Sequence, residues 1–431
     1  MKLPVFLACL VGLVGALPAQ AETFLVTNLH DGGDGSLRAV VEAANAHAGA
    51  DRIRFAHGLA GEIPVAAAPL LILDALHVEG PGGDRIRLRG DGEHPIVRVV
   101  ADAGEVTLDG LQFSAGGDGA IVNEGALLAV RSSTLERNTG RRGGAIASYG
   151  GDLRVERSLL RGNRSETIDR DGDGIGGGIY AKNTSVTIEA TRISSNEADA
   201  LGGGVYAELP PDGTLLVRDS VIDANSATTQ GGGLFLLAGG GPPSGILNST
   251  VSGNRSTRNA AIWFDGAVVV GNSTVAYNRS LFDGIPGHCP GLCGAGRNSA
   301  LWLSSSLLAG NRDTYGSGYD LASIPGGTHV SHSLIERVAD GAIDDDRGGN
   351  LLDLDPRLDA ALDPSALLPT HALAADSPAI DAGANPHLLQ YDQRGRCHPR
   401  TIGAATDIGA HERASSDPRA ELRLCLPARR R

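Results

Sequence analysis

The chain is predicted to be all-β and to wind as a parallel β-helix, on three observations. First, a six-residue phrase that opens on Ser or Thr and closes on Asn recurs down its middle. It reads Ser158-Leu159-Leu160-Arg161-Gly162-Asn163, Thr191-Arg192-Ile193-Ser194-Ser195-Asn196 and Ser220-Val221-Ile222-Asp223-Ala224-Asn225. It returns as Ser249-Thr250-Val251-Ser252-Gly253-Asn254 and Ser273-Thr274-Val275-Ala276-Tyr277-Asn278, with weaker copies ending at Asn138 and Asn311. The closing asparagines are 25, 33, 29, 29, 24 and 33 residues apart, a period that marks stacked units, each too small to bury its own apolar face. Second, short runs such as Leu153-Arg154-Val155-Glu156, Val186-Thr187-Ile188-Glu189 and Leu215-Leu216-Val217-Arg218 alternate apolar and polar residues, the strand period. Third, glycine clusters punctuate successive units (Gly143-Gly144, Gly176 to Gly178, Gly202 to Gly204, Gly231 to Gly233), with Ala260-Ala261 in the next, and no helical stripe appears between Asn123 and Asn311.

The elements follow in order. Residues 1–21 read as a signal peptide: Lys2, an apolar run from Leu3 to Leu17, then the small-x-small site Ala19-Gln20-Ala21. Residues 22–60 read as a cap, which the exposed end of a solenoid requires. Within it Phe24-Leu25-Val26-Thr27 is a strand, Asp31 to Gly35 a turn and Ser36 an N-cap. Leu37, Val40, Val41 and Ala44 then share one face of a short helix, and Asp51 to Phe55 returns to strand. Residues 61–340 form the β-helix, with one strand after each glycine cluster and a second in the alternating run. In such a coil the recurrent Asn suits a turn, because it tolerates left-handed backbone and its amide bonds turn carbonyls or the Asn of the next coil. Residues 341–412 change character, and 413–431 form a polar tail ending in Arg429-Arg430-Arg431.

Composition narrows the function classes. Net charge is −13, or −14 once Lys2 is removed with the leader, which argues against a nucleic-acid partner. After the leader no long apolar stretch remains, so a transmembrane segment is not expected in the mature chain. Aromatic content is only 4%, while 61 glycines allow many tight turns. Cys289, Cys293, Cys397 and Cys425 are an even number in an exported chain, which reads as two disulfides. The sequence-local pairing is Cys289–Cys293 with Cys397–Cys425; three pairings are open, and a zinc role for His288 with Cys289 and Cys293 is the alternative.

Three groups of residues are candidates for chemistry. Tyr180, Tyr206 and Phe235 occupy equivalent places after the glycine cluster, and Trp263 the same place after its Ala260-Ala261 replacement. Strand alternation turns Ile179, Val205, Leu234 and Ile262 inward and these aromatics outward, as a row of exposed rings able to carry sugar faces. The alternative is that the row packs under a loop. Asp169, Asp171 and Asp173 alternate before turn glycines and suit Ca²⁺, although Tyr180 stands where an EF-hand would place its Glu; a solvated turn is the alternative. Lys182, the single lysine after the leader, lies two residues beyond Tyr180, where it is a weak candidate for a catalytic base and otherwise a surface residue.

Three resemblances sit on these residues. The pairing of apolar-x-x-Asn with Gly-Gly-Ala/Gly-apolar over roughly residues 105–315 resembles the repeat of chlamydial polymorphic membrane proteins and related bacterial β-helix proteins. That resemblance implies a right-handed, pectin-lyase-like solenoid. The stretch Val26-Thr27 … Ser36-Leu37-Arg38-Ala39 … Asn45 is similar to the opening of secreted β-helix proteins with a Ser-Leu-Arg-Glu/Gln-Ala signature, departing at Ala39 and Val40. Ser377 to Gly383, Asp392-Gln393-Arg394-Gly395 and Asp407 to Glu412 together resemble the choice-of-anchor region of bacterial surface β-helix proteins. In that region Asp381, Asp392, Arg394 and Asp407 are expected to pair and close the last coil. The functional expectation is a secreted, surface or periplasmic interaction protein, adhesive or glycan-binding. The alternative is a polysaccharide-degrading enzyme, a lyase in preference to a hydrolase, with Lys182 and Ca²⁺ as its parts by analogy.

Overall fold

A computed structural model describes residues 21–413 except 83, 168–171, 282–288 and 363–365. Residues 1–20 of the leader and 414–431 of the basic tail therefore lie outside the described residues. The remainder winds as a parallel β-solenoid with up to four short strands per coil. Equivalent strands stack into sheets of 13, 9, 12 and 6 strands, and every pairing between named strands is parallel.

Alternation fixes the register. In the thirteen-strand sheet Val130, Val155, Ile188, Val217, Ile246, Val270, Leu303 and Val330 are successive partners, one per coil, all pointing inward and all fully buried. A one-residue slip would turn this whole column to solvent, so the burial specifies the pairing. Sequence reading recognised two strands per unit. The structure adds a third inside the recurrent phrase, as in Leu159–Arg161 and Val221–Asp223, and a short fourth beyond the Asn, as in Arg164–Ser165.

The closing asparagines form one continuous ladder. Each Nδ2 donates to the Oδ1 of the next, at 2.9 Å from Asn138 to Asn163, 2.9 Å to Asn196, 2.9 Å to Asn225, 3.0 Å to Asn254, 2.9 Å to Asn278 and 2.7 Å to Asn311. The same Oδ1 accepts the backbone N–H of the preceding Asn, and the second Nδ2 hydrogen reaches a carbonyl of the coil before, for example Asn225 to Ile193 O at 2.9 Å. These side chains are no more than 1% exposed, so each must be paired, and each is. Left-handed backbone falls not on the ladder Asn but on the residue before it, such as Ser195 (φ 56°) and Ala224 (φ 54°). Because the amides donate in one direction, the last needs an acceptor without a donor. Asp320 supplies it: its Oδ1 accepts the backbone N–H and Nδ2 of Asn311 at 3.0 and 2.7 Å. Burial outweighs these bonds and pushes the Asp320 carboxyl up to about 6.

The phrase-opening hydroxyls form a parallel ladder, each accepting the N–H of its predecessor: Ser158 N–H to Thr191 at 3.2 Å, Thr191 N–H to Ser220 at 3.1 Å, Ser220 N–H to Ser249 at 3.1 Å. The glycines are needed for close approach. A Cβ on Gly203 would strike the carbonyls of Ser226 and Gly232.

Helix α1 (Leu37–Ala46) caps the N-terminal end as expected. Ser36 accepts the N–H of Ala39 at 3.2 Å, and Leu37, Val40, Val41 and Ala44 are buried against the first coils. The C-terminal region corrects an expectation. It does not simply close the last coil but folds back along the outer face of the twelve-strand sheet. Thr250 bonds Gln393, Ser252 bonds His371 at 2.7 Å and the Tyr277 hydroxyl donates to Leu358 O at 3.1 Å. Leu307, Ala309 and Leu334 turn outward from that sheet into an apolar contact with Leu373, Ala379 and Ile408. Within the region Arg394 pairs Asp392 at 2.5 Å, and fully buried Arg400 lies 3.4 Å from Glu412. Asp381 and Asp407 accept backbone N–H groups of Ala404, Ala405 and Arg413 instead of pairing with Arg394.

Candidate functional site

The aromatic row turns outward, but it is not an exposed platform. Tyr180, Tyr206, Phe235 and Trp263 are successive register partners in the nine-strand sheet. Strand spacing places their rings face on face, with centroids 5.4, 5.3 and 4.2 Å apart and interplanar angles of 14°, 5° and 10°. Each ring covers its neighbour's faces, which leaves Tyr180, Tyr206 and Phe235 only 2%, 7% and 5% exposed. Ile175, Leu201 and Leu237 pack the sides, making a second apolar cluster outside the main core. Tyr149 swings onto Tyr180 at 5.4 Å, Arg142 stands 5.8 Å from the Tyr180 ring, and burial pushes the Tyr180 hydroxyl up to about 12. At the other end Cys293, disulfide-bonded to Cys289, is the register partner of Trp263. Cys397 is also disulfide-bonded, while Cys425 lies outside the described residues.

The acidic turn offers less than its sequence suggests. Asp169 and Asp171 lie outside the described residues, and Asp173 is buried against Arg142 at 3.3 Å. That guanidinium is its ion-pair partner. Among the described residues no group of three His, Cys, Asp or Glu side chains could hold a metal. Lys182 lies on the nine-strand sheet beside Glu208, its register partner, at 3.8 Å. The pair is partly exposed to solvent.

The structure instead presents a groove on the twelve-strand sheet, beside Ala366 and Leu367 of the C-terminal cover. It encloses about 570 Å³ and is lined by Glu136, Arg137, Leu159, Arg161, Arg192 and Ser194 on the floor and by Ala366 and Leu367 at the edge. Its outward row is Glu136, Arg161, Ser194 and Asp223, one residue per coil. Glu136 accepts from Gln112 at 2.6 Å and from Arg161 Nε and Nη2 at 2.8 and 2.6 Å. Burial alone would raise its pKa, but the Arg161 hydrogen bonds and charge prevail and hold it below the ordinary range. Arg192 grips Asp223 with two bonds of 2.9 and 2.8 Å and donates to Ala366 O at 3.0 Å, tying the floor to the cover. A second cavity of about 560 Å³, lined by Glu62, Arg85, Arg87 and Gln112, continues the same face toward the N-terminus.

The two carboxylates of the groove's outward row stand far apart. Glu136 and Asp223 are three parallel steps apart, about 14 Å at ~4.8 Å per step. A carboxylate pair for glycoside hydrolysis needs about 5 to 9.5 Å. Both carboxylates are also locked to arginines. Sequence reading missed Glu136, Arg161 and Arg192 because it gave a role only to the Asn that closes the recurrent phrase. Alternation applied inside the phrase would have turned Leu160 and Ile193 inward and these residues outward.

Residues 96–280 match the family described as right handed beta helix region. The fold is a right-handed parallel β-helix. Among solved structures the chain is similar to pectate lyase Pel9A, at 15% identity and a TM-score of 0.52, over 92% of this chain and 98% of that one. It also matches the Dettilon tailspike protein (15% identity, TM-score 0.36, 74% of this chain and 64% of that one). A third match is the A-module of mannuronan C-5 epimerase AlgE4 from Azotobacter vinelandii (12% identity, TM-score 0.37, 76% of this chain and 96% of that one). At these identities only the pectate lyase likeness bears on the argument, and it bears on the fold alone. No curated protein matches the chain. No helix among the described residues is long and apolar enough to cross a membrane.

Proposed function

We propose that this right-handed β-helix is an exported interaction protein that binds a glycan chain along the groove bounded by Glu136, Arg161, Arg192 and Leu367. The observation that carries this reading is the open, axial groove with both apolar and hydrogen-bonding walls. Leu159 and Leu367 offer surface to sugar faces, while Ser194 and the paired arginines offer polar groups. The sequence features of residues 1–21 and the choice-of-anchor-like motifs of Leu351–Glu412 support an extracellular or envelope setting. The likeness to a pectate lyase keeps a polysaccharide lyase as the second reading. One experiment separates the two. The purified protein is titrated with acidic and neutral oligosaccharides while ultraviolet absorbance of an unsaturated product is followed, with and without Ca²⁺. Binding without product, lost in Leu367→Asp at unchanged melting temperature, is the expected result. Product formation would move the assignment to the lyase, and no binding by any oligosaccharide would remove the glycan reading.

A further inference from the structure

The outer face of the six-strand sheet carries a single column of register partners: Thr139, Arg164, Glu197, Ser226, Arg255, Arg279 and Arg312. Its two ends are neutralised by the protein itself. Arg164 lies 3.1 Å from Glu197, the next residue of the column, 3.1 Å from Glu166 and 3.0 Å from Asp199. Arg312 lies 2.5 Å from Glu336 and 3.6 Å from Asp320. Between them Arg255 and Arg279 are exposed and directly opposite one another, with no ion pair or side-chain hydrogen bond to any described residue. Like charges in register repel, so the arrangement costs the free protein stability. It stands out in a chain of net charge −13, where nearby arginines of the column each meet at least two carboxylates.

We propose that Arg255 and Arg279 form an anion site for a tetrahedral dianion, a phosphate or sulfate group. Adjacent coils hold the two backbones one strand spacing apart, about 4.8 Å. A single oxyanion between the guanidinium groups can then accept charge-assisted bonds from both. A carboxylate is satisfied by one bidentate arginine, whereas a dianion with three or four oxygens matches two. The ion completes the alternation of charge that Arg164 and Glu197 show earlier in the column. This site lies on a different sheet from the groove and does not depend on the glycan reading.

The test is a melting-temperature titration of the full chain with inorganic sulfate and phosphate, against chloride at equal ionic strength. The expected result is an oxyanion-specific stabilisation that saturates, weakens about tenfold in apparent affinity in Arg279→Gln, and vanishes when Arg255→Gln is added. A second variant reads the column without ligand: Arg255→Glu should raise the melting temperature of the free protein and abolish the sulfate response. A sulfated or phosphorylated oligosaccharide that outcompetes the inorganic ion would assign the group to a polymer, and equal competition would assign it to the free ion; both support the site. An oxyanion response equal in wild type and the double variant, or a lower melting temperature in Arg255→Glu, would overturn it.

Discussion

Removing one rung of the buried amide ladder should be among the most damaging single changes on this chain. Take Asn225→Ala. Asn225 Oδ1 accepts the backbone N–H of Asn196 at 2.9 Å and its Nδ2 at 2.9 Å, while its own Nδ2 donates to Ile193 O at 2.9 Å and Asn254 Oδ1 at 3.0 Å. Truncation leaves two donors of Asn196 without an acceptor, in a site where Asn196 is 1% and Asn225 0% exposed. At ~2 kcal/mol for each orphaned buried group, the loss is about 4 kcal/mol. The two carbonyl acceptors keep other lone pairs and add less. Asn183 is the control: it is exposed and outside the ladder, and its replacement by Ala should cost only ~1 kcal/mol, the strain of Ala at its left-handed backbone (φ 51°). Urea denaturation measures both, and hydrogen exchange at the Asn196 amide reports the local opening. If Asn225→Ala cost no more than Asn183→Ala, or left exchange at Asn196 unchanged, the reasoning from an obligatory ladder would be refuted.

Asp320 has a folded pKa of about 6 against an ordinary value of 3.8, so its protonated form is favoured by folding. Its contribution is present in full below about pH 4 and is lost as pH rises through about 6, a change of at most ~3 kcal/mol in denaturation that Asp320→Asn should flatten. Gly203→Ala pushes a methyl group into two carbonyls and should prevent the coil from closing, read as loss of soluble folded protein. Tyr206→Ala removes the middle of the ring stack and should cost ~3–5 kcal/mol, visible as a lower urea midpoint and a changed Trp263 emission. Arg192→Ala leaves the Asp223 carboxylate buried without its partner and should cost ~3–5 kcal/mol, with protease sensitivity rising first near Ala366.

Much of the fold was legible because stacking in register turns sequence period into space. The spacing of Asn138 to Asn311 located the ladder, and alternation in Leu153 to Glu156 gave the inward faces correctly. Alternation also set Tyr180, Tyr206 and Phe235 outward correctly. It did not reveal that rings one strand apart cover each other, which is a property of neighbouring coils and not of one strand. The fold-back of the C-terminal region was illegible for a different reason. Thr250 and Gln393 are 143 residues apart, and nothing local in either residue specifies the other. The groove depends on where that cover brings Ala366 and Leu367, so it could not be placed from the repeat alone. Short strands such as Arg164–Ser165 carry too few residues for a period to show.

Cross-linking by register gives the most direct measurement. Thr187 and Leu216, 29 positions apart in sequence, are outward-facing partners on adjacent coils, whereas Val217, one residue on, points into the core. Neighbouring parallel strands bring such partners within the ~4.4–6.8 Å Cα separation a disulfide requires. Thr187→Cys with Leu216→Cys should oxidise to a cross-link in the folded protein, and Thr187→Cys with Val217→Cys should not. Equal cross-linking of both pairs, or none in the first, would contradict the in-register winding on which the ladders, the ring stack and the groove all stand.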